Sequence, residues 1–122
     1  MDELEDLPIP SGLKFIVSHL KTIVSIQLDA DNYTVWKAQI VKILRANGFD
    51  RFLDSSLPSP SSVLLQTDGT SIPNRQYNQW RLTDQNLTAA ICSTISSAIL
   101  PYVVNLDSTA AIWSTLELGS NQ

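Results

Sequence analysis

The chain has 122 residues, 43% of them apolar, which fits one domain with one modest core and excludes global disorder. Formal net charge is −4, but Asp2, Glu3, Glu5 and Asp6 lie in the first ten residues, and from Ser11 onward 8 basic residues balance 8 acidic ones. This excludes the overall basic footprint of a nucleic-acid-binding domain, and the single Cys92 closes neither an intramolecular disulfide nor a thiolate zinc site.

Residues 1–12 carry the acidic run with Pro8, Pro10 and Gly12, and read as a flexible tail. An acidic start is opposite in sign to a secretory or organelle leader. Lys14, His19 and Lys21 interrupt the apolar stretch 13–28, so no membrane span is expected. The expectation is a cytoplasmic protein in a reducing compartment, with nuclear entry left open. Within that stretch Phe15, Ile16, Leu20, Ile23 and Val24 suit a helical face, whereas Val24, Ile26 and Leu28 alternate like a strand. A short helix followed by an extended piece is predicted.

The best-signalled helix covers residues 32–47. Asp29, Asp31 and Asn32 offer oxygens to its first amides, and Tyr33, Trp36, Ile40, Ile43 and Leu44 share one face. Basic residues near its end suit the helix dipole, and Gly48 suits the position after the C-cap. Phe49, Phe52 and Leu53 then predict a short turn packed under the helix. Residues 54–74 are loop-like, with a Ser/Pro-rich start at 55–62 that reads equally as disordered. Asp68-Gly69, flanked by Val63-Leu64-Leu65 and Ile72, is the signal for a minor hairpin.

A second long helix is predicted over 75–94, capped by Asn74, with Tyr77, Trp80, Leu87, Ile91 and Ile95 in helical period. Asp84 falls on the same stripe and requires a hydrogen-bond partner there. Ser96 or Ser97 caps a short helix over 98–104, where Pro101 is tolerated near the first turn. Asp107 or Ser108 caps a last helix, 109–118, with Ile112, Trp113 and Leu116 on one face and Gly119 as its stop. The class is all-α with a minor hairpin: one domain over 13–118, the 55–74 loop inside it, and a second tail at 119–122.

The chemistry-bearing residue types are sparse. His19 is the lone histidine, and no nucleophile elbow surrounds a serine. No phosphate loop and no metal-ligand set can be assembled. Neither cofactor nor metal is expected, and no catalysis. A small hydrolase would have to rest on His19, and a Cys92–His19 pair is outweighed by an inert thiol on an apolar helix face. The pairs Tyr33/Trp36 and Tyr77/Trp80 read as core packing rather than as stacking platforms for a single strand, because each Trp lies on the apolar stripe of its helix.

The ordered set of these residues resembles the start of Gag polyproteins from plant copia-type LTR retrotransposons. The resemblance rests on an apolar stretch ending in Leu28, then Asn32-Tyr33-x-x-Trp36 opening an amphipathic helix, Leu44-Arg45-Ala46-Asn47-Gly48-Phe49, Phe52-Leu53-Asp54, and a Pro-containing loop. It continues with Asn74, Tyr77-x-x-Trp80, Asp84-Gln85, Ile91 and Ala110-x-Ile112-Trp113-x-x-Leu116, spanning residues 13–118. The resemblance implies a small orthogonal helical bundle like a capsid N-terminal lobe, whose signature core is Tyr33, Trp36, Ile40, Leu44, Tyr77, Trp80, Leu87, Ile91, Trp113 and Leu116. It also implies self-assembly around the element's RNA. Family members continue past the Trp-x-x-Leu helix into further capsid helices and commonly a zinc knuckle, both of which lie outside this sequence. The expected function is therefore a non-enzymatic interaction module, a truncated Gag lobe that binds itself, Gag-like proteins or a host protein. The alternative is an RNA- or DNA-binding factor using a basic face of Lys37, Lys42, Arg45 and Arg51; no membrane partner is expected.

Overall fold

The computed structural model describes residues 9–120. Four helices dominate: α1 (Ser11–Ile23), α2 (Tyr33–Ala46), α3 (Arg75–Cys92) and α4 (Thr109–Ser120). Between α2 and α3 come a 3-10 turn, Asp50–Leu53, and a hairpin of β1 (Val63–Leu65) with β2 (Ser71–Pro73). A second 3-10 turn, Leu100–Tyr102, lies between α3 and α4. The all-α class with a minor hairpin is therefore what the chain adopts.

Helix α1 buries Leu13, Ile16 and Leu20 and packs along α3. Phe15 and Ile23, expected on the buried face, stay 44% and 42% exposed. They lie outside the arc of Leu13, Ile16, Leu20 and Val24, which successive 100° steps bring together. The helix starts at Ser11, so residues 11 and 12 are helical rather than tail, and the rest of the acidic segment, residues 1–8, lies outside the described residues. The extended piece after α1 reduces to one parallel bridge, Leu28 to Ile95. The Leu28 amide donates to the Thr94 carbonyl at 2.8 Å, and the Ser96 amide donates to the Leu28 carbonyl at 2.9 Å.

Asn32 does not cap α2 with its side chain. Its Oδ1 accepts from the Asp29 amide and its amide donates to the Gln27 carbonyl, both at 2.8 Å, so it knots the linker instead. The far end follows the sequence: Gly48 has φ +83°, its amide bonds the Arg45 carbonyl, and the Phe49 amide bonds the Leu44 carbonyl. This pair of bonds, with Phe49 and Leu44 both buried, is a Schellman ending that needs glycine's left-handed freedom.

The hairpin turn also uses glycine. Gly69, at φ +89°, donates to the Gln66 carbonyl at 3.1 Å, and the Gln66 amide donates to the Thr70 carbonyl at 2.7 Å. Asp68 Oδ1 accepts from the Thr70 amide and hydroxyl, which holds its carboxyl below the ordinary range.

Asn74 caps α3 by accepting from the Gln76 amide at 3.0 Å. Two endings differ from expectation: the predicted 98–104 helix is only the 3-10 turn with Pro101 inside it, and α4 runs through Gly119 to Ser120. The glycine that was to stop α4 has open space around it, and its helical placement costs only about 1 kcal/mol relative to alanine. Of the expected second tail, residues 119 and 120 are thus helical, and 121–122 lie outside the described residues.

The core gathers Leu13, Ile16, Leu20, Leu28, Trp36, Ile40, Leu44, Leu87, Ile91, Val103, Ile112 and neighbouring side chains from all four helices. Trp36 is fully buried. Its ring lies 5.4 Å from that of Trp113, and its Nε1 donates to Thr94 Oγ1 at 3.0 Å. The Thr94 hydroxyl in turn donates to the Ile91 carbonyl at 2.6 Å, so the polar atoms beside the ring are paired.

Candidate functional site

Of the signature residues, Trp36, Ile40, Leu44, Leu87, Ile91, Trp113 and Leu116 are buried, while Tyr33, Tyr77 and Trp80 are half-buried. Trp80 therefore departs from the expected core position. It stacks on Phe52 at 5.6 Å and on Tyr77 at 6.5 Å between ring centroids, and it lines a wide cleft of about 780 Å³. That cleft lies among the first 3-10 turn, the Ser/Pro loop, α3 and the start of α4, with Arg51, Pro58, Pro60 and Asp84 in its wall.

Asp84 is buried and carries a task the sequence left open. Its Oδ1 accepts from the Thr109 amide at 3.0 Å, and the Thr109 hydroxyl donates to the Asp84 carbonyl at 3.2 Å. A carboxylate on α3 thus satisfies the first amide of α4, where the positive end of the helix dipole favours it. Ser108 shares the capping, accepting from the Ala111 amide at 3.0 Å.

The four basic residues do not form one face. Lys37 and Lys42 are five positions apart on α2, about 140° around the helix. Lys37 bonds Glu117 on α4, Arg45 Nε lies 3.9 Å from Asp50 Oδ2, and Arg51 lines the wide cleft. Two of the four charges thus sit against acidic partners, and the expected continuous basic surface is divided.

The Lys37 contact belongs to a three-residue clip. Tyr33 and Lys37, one turn apart on α2, both donate to Glu117 Oε1, the tyrosine at 2.9 Å. The lysine bond first and the tyrosine bond second hold the Glu117 carboxyl below its ordinary value. Burial, then the bond to Glu117, raises the Tyr33 phenol above its ordinary value, so at neutral pH the phenol stays protonated and donates. Beside the clip runs an apolar cleft of about 350 Å³, lined by Leu28, Tyr33, Ile99, Tyr102 and Leu116 among others. Neither Tyr33 nor Glu117 was legible as a linked pair, because residues 84 positions apart share no local pattern.

Chemically reactive groups are placed apart from these clefts. His19 is exposed on α1, its Nδ1 donating to the Phe15 carbonyl at 3.0 Å and its ring stacked on Phe15. Cys92 is half-buried, and burial raises its thiol, which disfavours the nucleophilic thiolate. Among the described residues no group of His, Cys, Asp or Glu is arranged to hold a metal ion, and no helix is long and apolar enough to cross a membrane.

The hairpin exposes a run of large aliphatic side chains. Val63, Leu64 and Ile72 are 45–49% exposed and Leu65 is 77% exposed, and no residue of either strand is buried. No family model, curated protein or solved structure matches this chain.

Proposed function

We propose that the chain is a non-enzymatic protein-interaction module of copia-type Gag ancestry, a capsid-like N-terminal lobe that acts by associating with itself or with Gag-like or host proteins in the cytoplasm. The observation that carries this reading is the hairpin, which leaves four large aliphatic side chains exposed, Leu65 most of all. Clustered exposed apolar side chains mark interaction surfaces. The balance of 8 basic and 8 acidic residues from Ser11 onward adds support, since two such bodies meet little net repulsion. The mostly helical body agrees with the all-α class that the Gag resemblance implies. The RNA-binding alternative has weaker support, because Lys37 and Arg45 sit against acidic side chains.

Light scattering across protein concentration tests the proposal. A weight-average mass that rises above 13.5 kDa supports it, as does lowered particle yield when the chain is co-expressed with an intact Gag relative. A strict monomer at high concentration together with unchanged yield sinks it.

A further inference from the structure

Strand register defines what the hairpin can bind. The paired positions are Val63 with Pro73, Leu64 with Ile72 and Leu65 with Ser71. Flanking bonds run from the Asn74 amide to the Ser62 carbonyl and from the Gln66 amide to the Thr70 carbonyl. Antiparallel ladders alternate between bonded and non-bonded pairs, so Leu64–Ile72 is a bonded pair. Val63 and Leu65 on β1, and Ser71 and Pro73 on β2, then turn their backbone groups outward. Among the described residues, nothing outside the hairpin bonds the Val63 or Leu65 backbone.

The two outer edges are not equivalent. On β2, one of the two outward positions is Pro73, which has no N–H to donate, and proline is a common device for blocking an edge. On β1, both outward positions keep donor and acceptor. That leaves one competent edge.

We infer that β1 pairs antiparallel with β1 of a second copy of this chain, about a twofold axis through Leu64. The inference rests on the self-association reading above and specifies its surface. The strand is self-complementary: the axis sets Val63 opposite Leu65 of the partner and Leu65 opposite its Val63. Both are outward-facing positions, so each pair exchanges two backbone bonds. Leu64 meets its own copy at a non-bonded pair, where side chains approach closest. The three central cross-strand pairs are all aliphatic. The nearest charge along the chain from β1, Asp68, lies in the turn and faces no like charge, because Gln66 is already opposite Ser62 of the partner. The result is a four-stranded sheet in the order β2-β1-β1-β2. Pro73 stands on both of its outer edges, so the sheet closes at two copies instead of growing. A lone two-stranded hairpin is marginal in water, and added strands stabilise it.

The test uses the full chain with Leu64→Lys and Leu64→Glu variants. The wild type is expected to approach twice 13.5 kDa by sedimentation as concentration rises. Each variant alone should remain monomeric with an unchanged circular dichroism spectrum, since like charges then face one another. An equimolar mixture of the two should recover the dimer, and the Val63 and Leu65 amides should exchange more slowly with solvent in the dimer. A wild type that associates while both variants associate equally well overturns the edge pairing and leaves the self-association reading standing. A wild type that stays monomeric overturns both.

Discussion

The surroundings of Trp36 and the Val63–Pro73 hairpin use apolar residues in opposite ways. Trp36 sits in a core to which every helix contributes buried side chains, its N–H is paired with Thr94, and Trp113 lies against its ring. In the hairpin, an aliphatic run is held by a two-stranded ladder and an Asp68-Gly69 turn, and every strand residue stays exposed. Aliphatic content alone therefore does not mark core. In the helices the 3.6-residue period collects apolar residues on one side and lets them bury, whereas the two three-residue strands leave all of their residues exposed. The first region holds the fold, and the second is available for contacts with other molecules.

Mutations should separate these roles, and the largest effects belong to the body. Trp36→Ala should lower unfolding free energy by about 3–5 kcal/mol, the usual cost of removing a buried large aromatic. Against typical domain stabilities of about 5–15 kcal/mol, chemical denaturation should show a large loss of midpoint or outright unfolding. Asp84→Ala should cost about 1.5–3 kcal/mol, because it strips a charged acceptor from the Thr109 amide and leaves that donor buried. A change no larger than that of an exposed site would show that Ser108 alone suffices to cap α4.

A smaller effect is expected at the clip between α2 and α4. Because the folded state lowers the Glu117 carboxyl below its unfolded value of 4.5, its stabilisation is present above that pH and is lost as pH falls through the folded value. Over a third of the Glu117 side chain is exposed, which limits the gain to about 0.2–1 kcal/mol. Glu117→Gln should therefore melt slightly below wild type at pH 7, with the gap shrinking in acid; a constant gap would detach the clip from stability. Leu65→Ser should be smallest, within about 0.5 kcal/mol of wild type. A loss comparable to Asp84→Ala would mean that the hairpin is part of the body after all, and the contrast between the two regions would fall.

Much of the body is legible from local pattern. The Tyr33–Trp36–Ile40–Leu44 stripe, Asn74 as a cap, Gly48 as a C-terminal signal and Asp68-Gly69 as a turn all act within a few residues, where spacing and backbone preference decide the outcome. What escaped is decided across distance. Trp80 shares the helical period of Leu87 but is only half-buried, stacked on Phe52 and Tyr77, so period identifies its face without its depth. The helical period puts Asp84 on an apolar stripe in need of a partner, yet the partner, the Thr109 amide, depends on where α4 begins. The candidate basic face shows the same limit: Lys37 and Arg45 look free in one dimension and meet Glu117 and Asp50 in three. The candidate contact edge needed strand register, which neither hydrophobicity nor turn residues specify on their own.

The bridge between Leu28 and Ile95 has a consequence for the covalent continuity of the chain. It ties the segment after α1 to the segment after α3, α1 lies along α3, and the Trp36 bond to Thr94 adds a second link between the two halves of the sequence. The 55–62 loop that joins those halves is exposed apart from Pro60. A protease that cuts there should leave two fragments locked in one folded body, separable by denaturant but not by gel filtration. The same two fragments, produced separately and mixed, should complement one another and fold together.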